Sequence, residues 1–272
     1  MKTFTIGKKK IVLKEEWMVG FITTWIVGLL AHAYRFFNFL PIWDSIYNFT
    51  GVGSTYTLGR WFLGYAGLIT SMFDLPWVNG AFSLFYISIV VILLTEMFEI
   101  KNKGMIVLCA AIFVSFPTVV SSFAYMYTAD AYLLAFLLAT LAVYLTWCVK
   151  KWGTIAGMVC LAFAMGIYQA YATVAIVLVL LYIIRQFVIE KLDFLEAVRK
   201  DLKYLGMLVG GAVLYAVILK ITLIRYNITL PGYQGIGALG IMSLGQYKAA
   251  LQKTLYHLSL IHISEPTRHS LI

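Results

Sequence analysis

Apolar residues in this chain come in long runs separated by short polar links, the pattern of helices that cross a bilayer, each of which needs about 20 residues. Runs over residues 17–34, 78–97, 105–124, 131–149 and 205–224 each predict one crossing. Residues 154–189 are too long for a single helix and divide at Tyr168-Gln169-Ala170-Tyr171 into a short fifth crossing and a full sixth, which makes 205–224 the seventh. Pro117 predicts a kink in the third crossing. Residues 60–73 (RWFLGYAGLITSMF) fall short of a crossing and predict a helix lying at the membrane interface, anchored by Arg60, Trp61 and Tyr65. Residues 185–203 set Val188, Leu192, Leu195, Val198 and Leu202 at helical spacing with charges between them, which predicts a second interfacial helix before the seventh crossing. Residues 226–244, rich in glycine and containing Pro231-Gly232-Tyr233, predict a loop. The expected fold class is an all-α polytopic transmembrane bundle of about seven spans, with no soluble domain.

Charge orients that bundle. Lys2, Lys8, Lys9, Lys10 and Lys14 precede the first run, Lys101 and Lys103 follow the second, Lys150 and Lys151 follow the fourth, and Arg185, Lys191, Arg199, Lys200 and Lys203 follow the sixth. The first three links on the other side carry only Arg35 and Arg60, so the bias is fourteen against two and predicts a cytoplasmic N-terminus. Ala31-His32-Ala33 resembles a signal-peptidase site, but the apolar run before it is long for a signal core, so a retained span is expected.

Composition agrees with a membrane protein. Hydrophobic residues make up 62% of the chain and charged ones 12%, about half the share found in soluble domains. The net charge of +9 sits in short links flanking apolar runs, which argues against a nucleic-acid partner. Cys109, Cys148 and Cys160 lie inside apolar runs without a C-x-x-C pair and read as buried free thiols. The four histidines show no zinc-ligand spacing.

Chemistry is expected on the outer side, where three acids fall: Asp44, Asp74 and Asp130. A carboxylate near the membrane surface is costly unless it is paired or used. Asp44 stands beside Trp43 and Tyr47 and reads as functional. Asp130 reads equally as a site residue and as the N-cap of a helix starting at Ala131. Asp74, in Asp74-Leu75-Pro76, reads as a turn residue. Arg35, Arg60, Lys220 and Arg225 lie at or near the same boundary, where a cation pairs with a phosphate or snorkels to headgroups. Arg60 draws attention because it shares a loop with Asp44.

These residues carry a resemblance. Trp43-Asp44-Ser45-Ile46-Tyr47-Asn48, Leu58-Gly59-Arg60-Trp61, Leu75-Pro76-Trp77-Val78-Asn79-Gly80 and Tyr168-Gln169-Ala170 together resemble the Gtr-type (type-two-like) O-antigen glucosyltransferases, of the C-type (GT-C) glycosyltransferase architecture, over roughly residues 17–225. The resemblance implies a multi-pass enzyme of the bacterial inner membrane. It would move a sugar, glucose by resemblance, from a polyprenyl-phosphate donor to a cell-surface glycan on the outer face. It maps the general base to Asp44, a second external acid to Asp130, the donor phosphate to Arg60 with Arg35 and Lys220, and substrate binding to Tyr47, Tyr168 and Gln169. Ser45 stands where many C-type enzymes have a second acid, so neither a metal nor another cofactor is implied.

The last stretch, 258–272, begins LSLIHISEPTR, which resembles a translated sequencing adapter. The native domain is therefore expected to cover 1–257 as the N-terminal part of a longer enzyme. A transporter or flippase of lipid-linked sugars is the competing class. It would put ionisable groups near the bilayer midplane, whereas here the candidate acids sit at the outer boundary. Asp44, Asp130 and Arg60 are expected to converge on one outward cavity.

Overall fold

The computed structural model describes residues 2–6, 9–47, 55–70, 74–191, 194–230 and 243–256, except 244, 246, 247 and 250. By its contacts the chain falls into two units, Met1–Ile228 and Thr229–Ile272. Of the second unit, residues 251–256 are helical; the glycine-rich loop and the adapter-like stretch lie mostly or wholly outside the described residues.

The first unit is a helical bundle of the expected all-α polytopic kind, with one addition at its start. Residues Lys2–Ile6 (β1) and Lys9–Leu13 (β2) pair as an antiparallel hairpin. The first helix, α1 (Glu15–Phe37), opens on Glu15 and Glu16 and closes on Arg35, charges that complement the helix dipole at both ends. It buries Gly20, Thr24, Gly28, His32 and Phe36, a stripe of every fourth residue. That stripe packs on α4 (Pro76–Met97), which begins with proline at its first turn, where no backbone donor is needed. The approach is close: a Cβ at Gly80 would fall 2.6 Å from the Phe36 ring. The core here joins Phe36, Leu84, Ile87 and Val90 to Val114, Phe123 and Met126.

Among the described residues, five helical stretches are long and apolar enough to cross a membrane: Glu15–Phe37, Pro76–Met97, Lys103–Cys148, Gln169–Glu190 and Arg199–Arg225. The third, of 46 residues, would be roughly 70 Å long as one rod, but it doubles back. Helix α5 (Lys103–Ser115), capped by the Asn102 side chain on the Met105 amide at 3.1 Å, stops before Pro117. Phe116 is held extended (φ −63°, ψ 139°), as a residue preceding proline is. Then come α6 (Pro117–Ser122), a 3₁₀ turn (Phe123–Tyr125) and α7 (Met126–Cys148). Ile106 and Val114 of α5 meet Gly20 and Gly28 of α1, whereas Asp130 near the start of α7 meets Asn79 near the start of α4 and Val143 clusters with Met97 at its end, so α5 and α7 run in opposite directions. The kink expected at Pro117 is therefore the start of a reversal. Helix α7 also begins at Met126, not Ala131, which puts Asp130 inside the helix and removes the N-cap role.

Beyond α7, α8 (Gly153–Ile167) and α9 (Ala172–Arg185) are separated by a 3₁₀ turn at Gln169–Tyr171, at the predicted break. A π turn (Gln186–Glu190) and Lys191, at φ 53°, lead into α10 (Phe194–Arg225). Two sequence expectations change here. The interfacial helix before the seventh crossing is not separate, because α10 runs unbroken through residue 203, burying Ala197, Asp201 and Tyr204 and leaving Leu202 exposed. The interfacial helix of 60–73 is only α3 (Leu63–Gly67) and a 3₁₀ turn (Leu68–Thr70). Instead of an apolar underside on the membrane, Trp61, Leu63 and Ala66 are buried in the bundle. The cysteines are free, as expected, but Cys109 and Cys148 face outward and only Cys160 is half-buried.

Ion pairs gather the basic links at one end. Lys14 meets Glu96 at 2.6 Å, Lys103 meets Glu15 at 2.6 Å, and Arg185 meets Glu99 at 2.9 Å. The chain direction of each helix then carries Arg35, Asn79, Asp130, Ile167 and Tyr215 to the opposite end.

Candidate functional site

At that opposite end Asp130 is the most buried acid among the described residues, 1% exposed, and it ties three elements together. Asn79 on α4 donates to its Oδ1 at 3.0 Å, and Thr70 in the 3₁₀ turn donates to its Oδ2 at 3.1 Å. The Asn79 Oδ1 in turn accepts the Leu75 amide at 2.9 Å, fixing the entry to α4. A buried carboxylate is tolerated when its lone pairs are filled in this way.

Two residues along α7, Tyr132 belongs to a separate cluster around Arg60. The Tyr132 hydroxyl accepts from Arg60 Nη1 at 3.1 Å, and the guanidinium lies over the Tyr168 ring at 4.5 Å. Tyr132 and Tyr168 are themselves stacked at 5.4 Å. Arg60 Nε is buried with no hydrogen-bond partner. The backbone before Arg60 is held just as firmly. Gln169 Nε2 donates to the Leu58 carbonyl at 2.8 Å and to the Tyr215 hydroxyl at 3.0 Å, and that hydroxyl donates to the Gly59 carbonyl at 3.0 Å. Gly59 has φ +72°, a left-handed conformation that glycine adopts without strain, and a Cβ there would fall 2.7 Å from Gln169 Nε2.

The third group surrounds Arg35, in the last turn of α1. Its Nε donates to the Phe123 carbonyl at 2.9 Å and its Nη2 to the Ala124 carbonyl at 3.3 Å, while Nη1 is buried without a partner. Asp74 lies within its electrostatic reach, and Ser45 faces the same carboxylate. Burial pushes the Asp74 carboxyl above the ordinary carboxylate range, with Arg35 and then Ser45 pulling the other way.

The structure thus brings Arg60, Tyr168 and Gln169 together, with Asp130 two residues from Tyr132. Asp44 is exposed on α2 (Trp43–Tyr47), next to Ser45, and the bonds that join Asp130 to Asn79 and Arg60 to Tyr132 run without it. Tyr47 ends α2, and its side chain lies outside the described part, as does Asn48. Lys220 is exposed on α10, five residues beyond Tyr215. Sequence reasoning missed Tyr132, Tyr215, Thr70 and the partnership of Asp74 with Arg35. Only Asn79 stood in a motif already singled out.

An apolar helical bundle with a charged, hydrogen-bonded cluster at one end defines a polytopic membrane protein that carries a polar site. The chain belongs to the glucosyl transferase GtrII family, whose model matches residues 33–265, so it is a glucosyltransferase by family. No curated protein and no solved structure matches the chain.

Proposed function

We propose that this glucosyltransferase moves glucose from a polyprenyl-phosphate carrier to a cell-surface glycan, O-antigen by family resemblance, on the outer face of the bacterial inner membrane, with its N-terminus in the cytoplasm. The observation that carries the reading is the fixed guanidinium of Arg60. It is locked between Tyr132 and Tyr168, has no carboxylate within 4.0 Å among the described residues, and lies at the end of the bundle opposite the basic links. A cation held in this way suits a phosphate leaving group. Lys220 would add charge at the rim, and Tyr47, Tyr168 and Gln169 would line the substrate.

In this reading Asp44, the exposed acid of α2, takes the proton of the acceptor hydroxyl as the oxygen attacks the anomeric carbon. The bond from that carbon to the carrier phosphate breaks, its electron pair leaves with the polyprenyl phosphate, and Arg60 stabilises the charge. Asp130, with both oxygens already accepting hydrogen bonds, acts by holding Thr70 and Asn79 in position and not by proton transfer.

Membranes containing the protein test the donor. Label from polyprenyl-phosphate-glucose should reach the glycan with no nucleotide sugar present. Transfer that occurs only with a nucleotide-linked glucose would overturn the lipid-linked donor.

A further inference from the structure

The N–H donors of a guanidinium lie in one plane and form a rigid fork, and in Arg60 only part of that fork is taken. Nη1 donates to the Tyr132 hydroxyl at 3.1 Å, and the plane lies over the Tyr168 ring at 4.5 Å. What remains is the edge formed by Nε and Nη2, whose N–H bonds run side by side away from Nη1. Nε is buried without a partner, and a buried donor calls for an acceptor. Nη2 donates to nothing among the described residues and is not sealed off as Nε is. Arg60 as a whole is only part-buried, so the edge meets open space at Nη2.

Tyr132 is the residue that leaves this edge free. Its ring is stacked on Tyr168 at 5.4 Å and meets Tyr171 at 6.4 Å, so the hydroxyl that receives Nη1 has a fixed place. That single bond sets how the guanidinium is turned above the Tyr168 ring. A hydroxyl does this without charge, whereas a carboxylate in its place would neutralise the cation. Asp130, the acid of α7, has both oxygens on Asn79 and Thr70. Two parallel donors that keep their full charge match an anion carrying two oxygens on one atom. The phosphodiester of a lipid-linked sugar has two non-bridging oxygens and one negative charge. We propose that the Nε–Nη2 edge of Arg60 grips both non-bridging oxygens of the donor phosphate, and that Tyr132 is the positioning residue that turns this edge toward them. This rests on the donor reading above. As the bond to the anomeric carbon breaks, the charge that the phosphate gains falls on oxygens the fork already holds.

The test uses the full chain in membranes. Tyr132→Phe keeps the ring and its stacking but leaves Nη1 unheld. Donor KM should rise about ten-fold, the worth of one hydrogen bond to a charged group, with a smaller change in kcat. A lower melting temperature at constant donor KM, the mark of a merely structural tyrosine, would overturn the proposal. So would wild-type kinetics, the result if only a water fills the edge. In an Arg60→Lys background there is no edge to turn, so Tyr132→Phe should cost nothing further; the same ten-fold loss there would overturn the positioning role. Donors with sulfur in place of one or the other non-bridging oxygen test the grip itself. The wild type should transfer both diastereomers more slowly than the oxygen donor, and a penalty on one alone would contradict a two-point grip. This series needs only wild-type protein and stands even if Tyr132→Phe fails to fold. Should the wild type transfer nothing from the lipid-linked donor, the donor reading falls, and polyprenyl phosphate becomes the probe for the edge. It should raise the melting temperature more in the wild type than in Tyr132→Phe; an equal shift in both, or none in either, would overturn the proposal.

Discussion

Arg60 and Tyr168 lie 108 positions apart in the sequence, yet the guanidinium sits 4.5 Å from the centre of the tyrosine ring. The neighbours of both residues reinforce the pair, because Gln169 donates to the carbonyl of Leu58 and Tyr215 to that of Gly59. The loop after α2 is therefore clamped to the break between α8 and α9 by backbone and side chain together. That clamp fixes the backbone that carries the Arg60 guanidinium.

Arg60→Lys keeps the charge but loses the planar fork and the stacking on Tyr168. Transfer should fall about ten- to a hundred-fold, the range for one charge-assisted hydrogen bond, with the larger part in donor KM. Steady-state kinetics against donor concentration measures it, and a pure loss of folded protein at constant KM would contradict it.

Gly59→Ala tests the clamp from the backbone side. A non-glycine residue held left-handed costs about 1–3 kcal/mol, and the new methyl would push Gln169 off the Leu58 carbonyl. A lower melting temperature in detergent together with weaker donor binding is expected. Restoration of either by Gln169→Ala, which makes room for the methyl, would identify the collision as the cause.

Asp130 separates structure from catalysis. Asp130→Ala leaves the Asn79 amide and the Thr70 hydroxyl without their buried acceptor, a loss of about 1–3 kcal/mol or more. Asp130→Asn keeps the shape and one acceptor and should melt much closer to the wild type while retaining most transfer. If Asp130→Asn instead melts normally but loses all transfer, Asp130 takes part in the chemistry.

Most of the bundle was legible in the apolar runs. The crossing expected over 78–97 and the division at Tyr168–Tyr171 follow from run length and a polar interruption, both local properties, whereas Pro117, read as a kink, marks the end of α5. Two other boundaries escaped because packing overrode the local pattern. The charges of 185–203 suggested an interfacial helix, but from Phe194 one helix continues without a break and buries Asp201 against Gln186. Trp61 looked like a membrane anchor and is core, while Tyr65, read the same way, is exposed. The site divides in the same way. Arg60, Tyr168 and Gln169 stand in recognisable motifs, whereas Tyr132 and Tyr215 lie within otherwise apolar helices and are selected only by what faces them. Asp74 resembled a turn residue because its partner, Arg35, is close in space and not in sequence.

Asp74 also predicts a pH dependence. Burial raises its carboxyl above the ordinary range, so the folded state binds this proton more tightly than the unfolded chain does. Its contribution to stability is full below the unfolded value, about 3.9, and is lost as pH rises through the folded value. Melting temperatures measured upward from pH 4 should therefore fall less steeply in Asp74→Asn than in the wild type. Parallel curves would contradict the shift.

Asp44 is the proposed general base. Transfer of radiolabelled glucose from polyprenyl-phosphate-glucose, compared between wild type and Asp44→Asn at equal protein in the membrane, should drop by about 10²–10⁴, the usual contribution of a general base. The Asp44→Asn protein should bind the donor as the wild type does. Equal transfer by the two would contradict the assignment of the base and, with it, the mechanism built around α2 and Arg60.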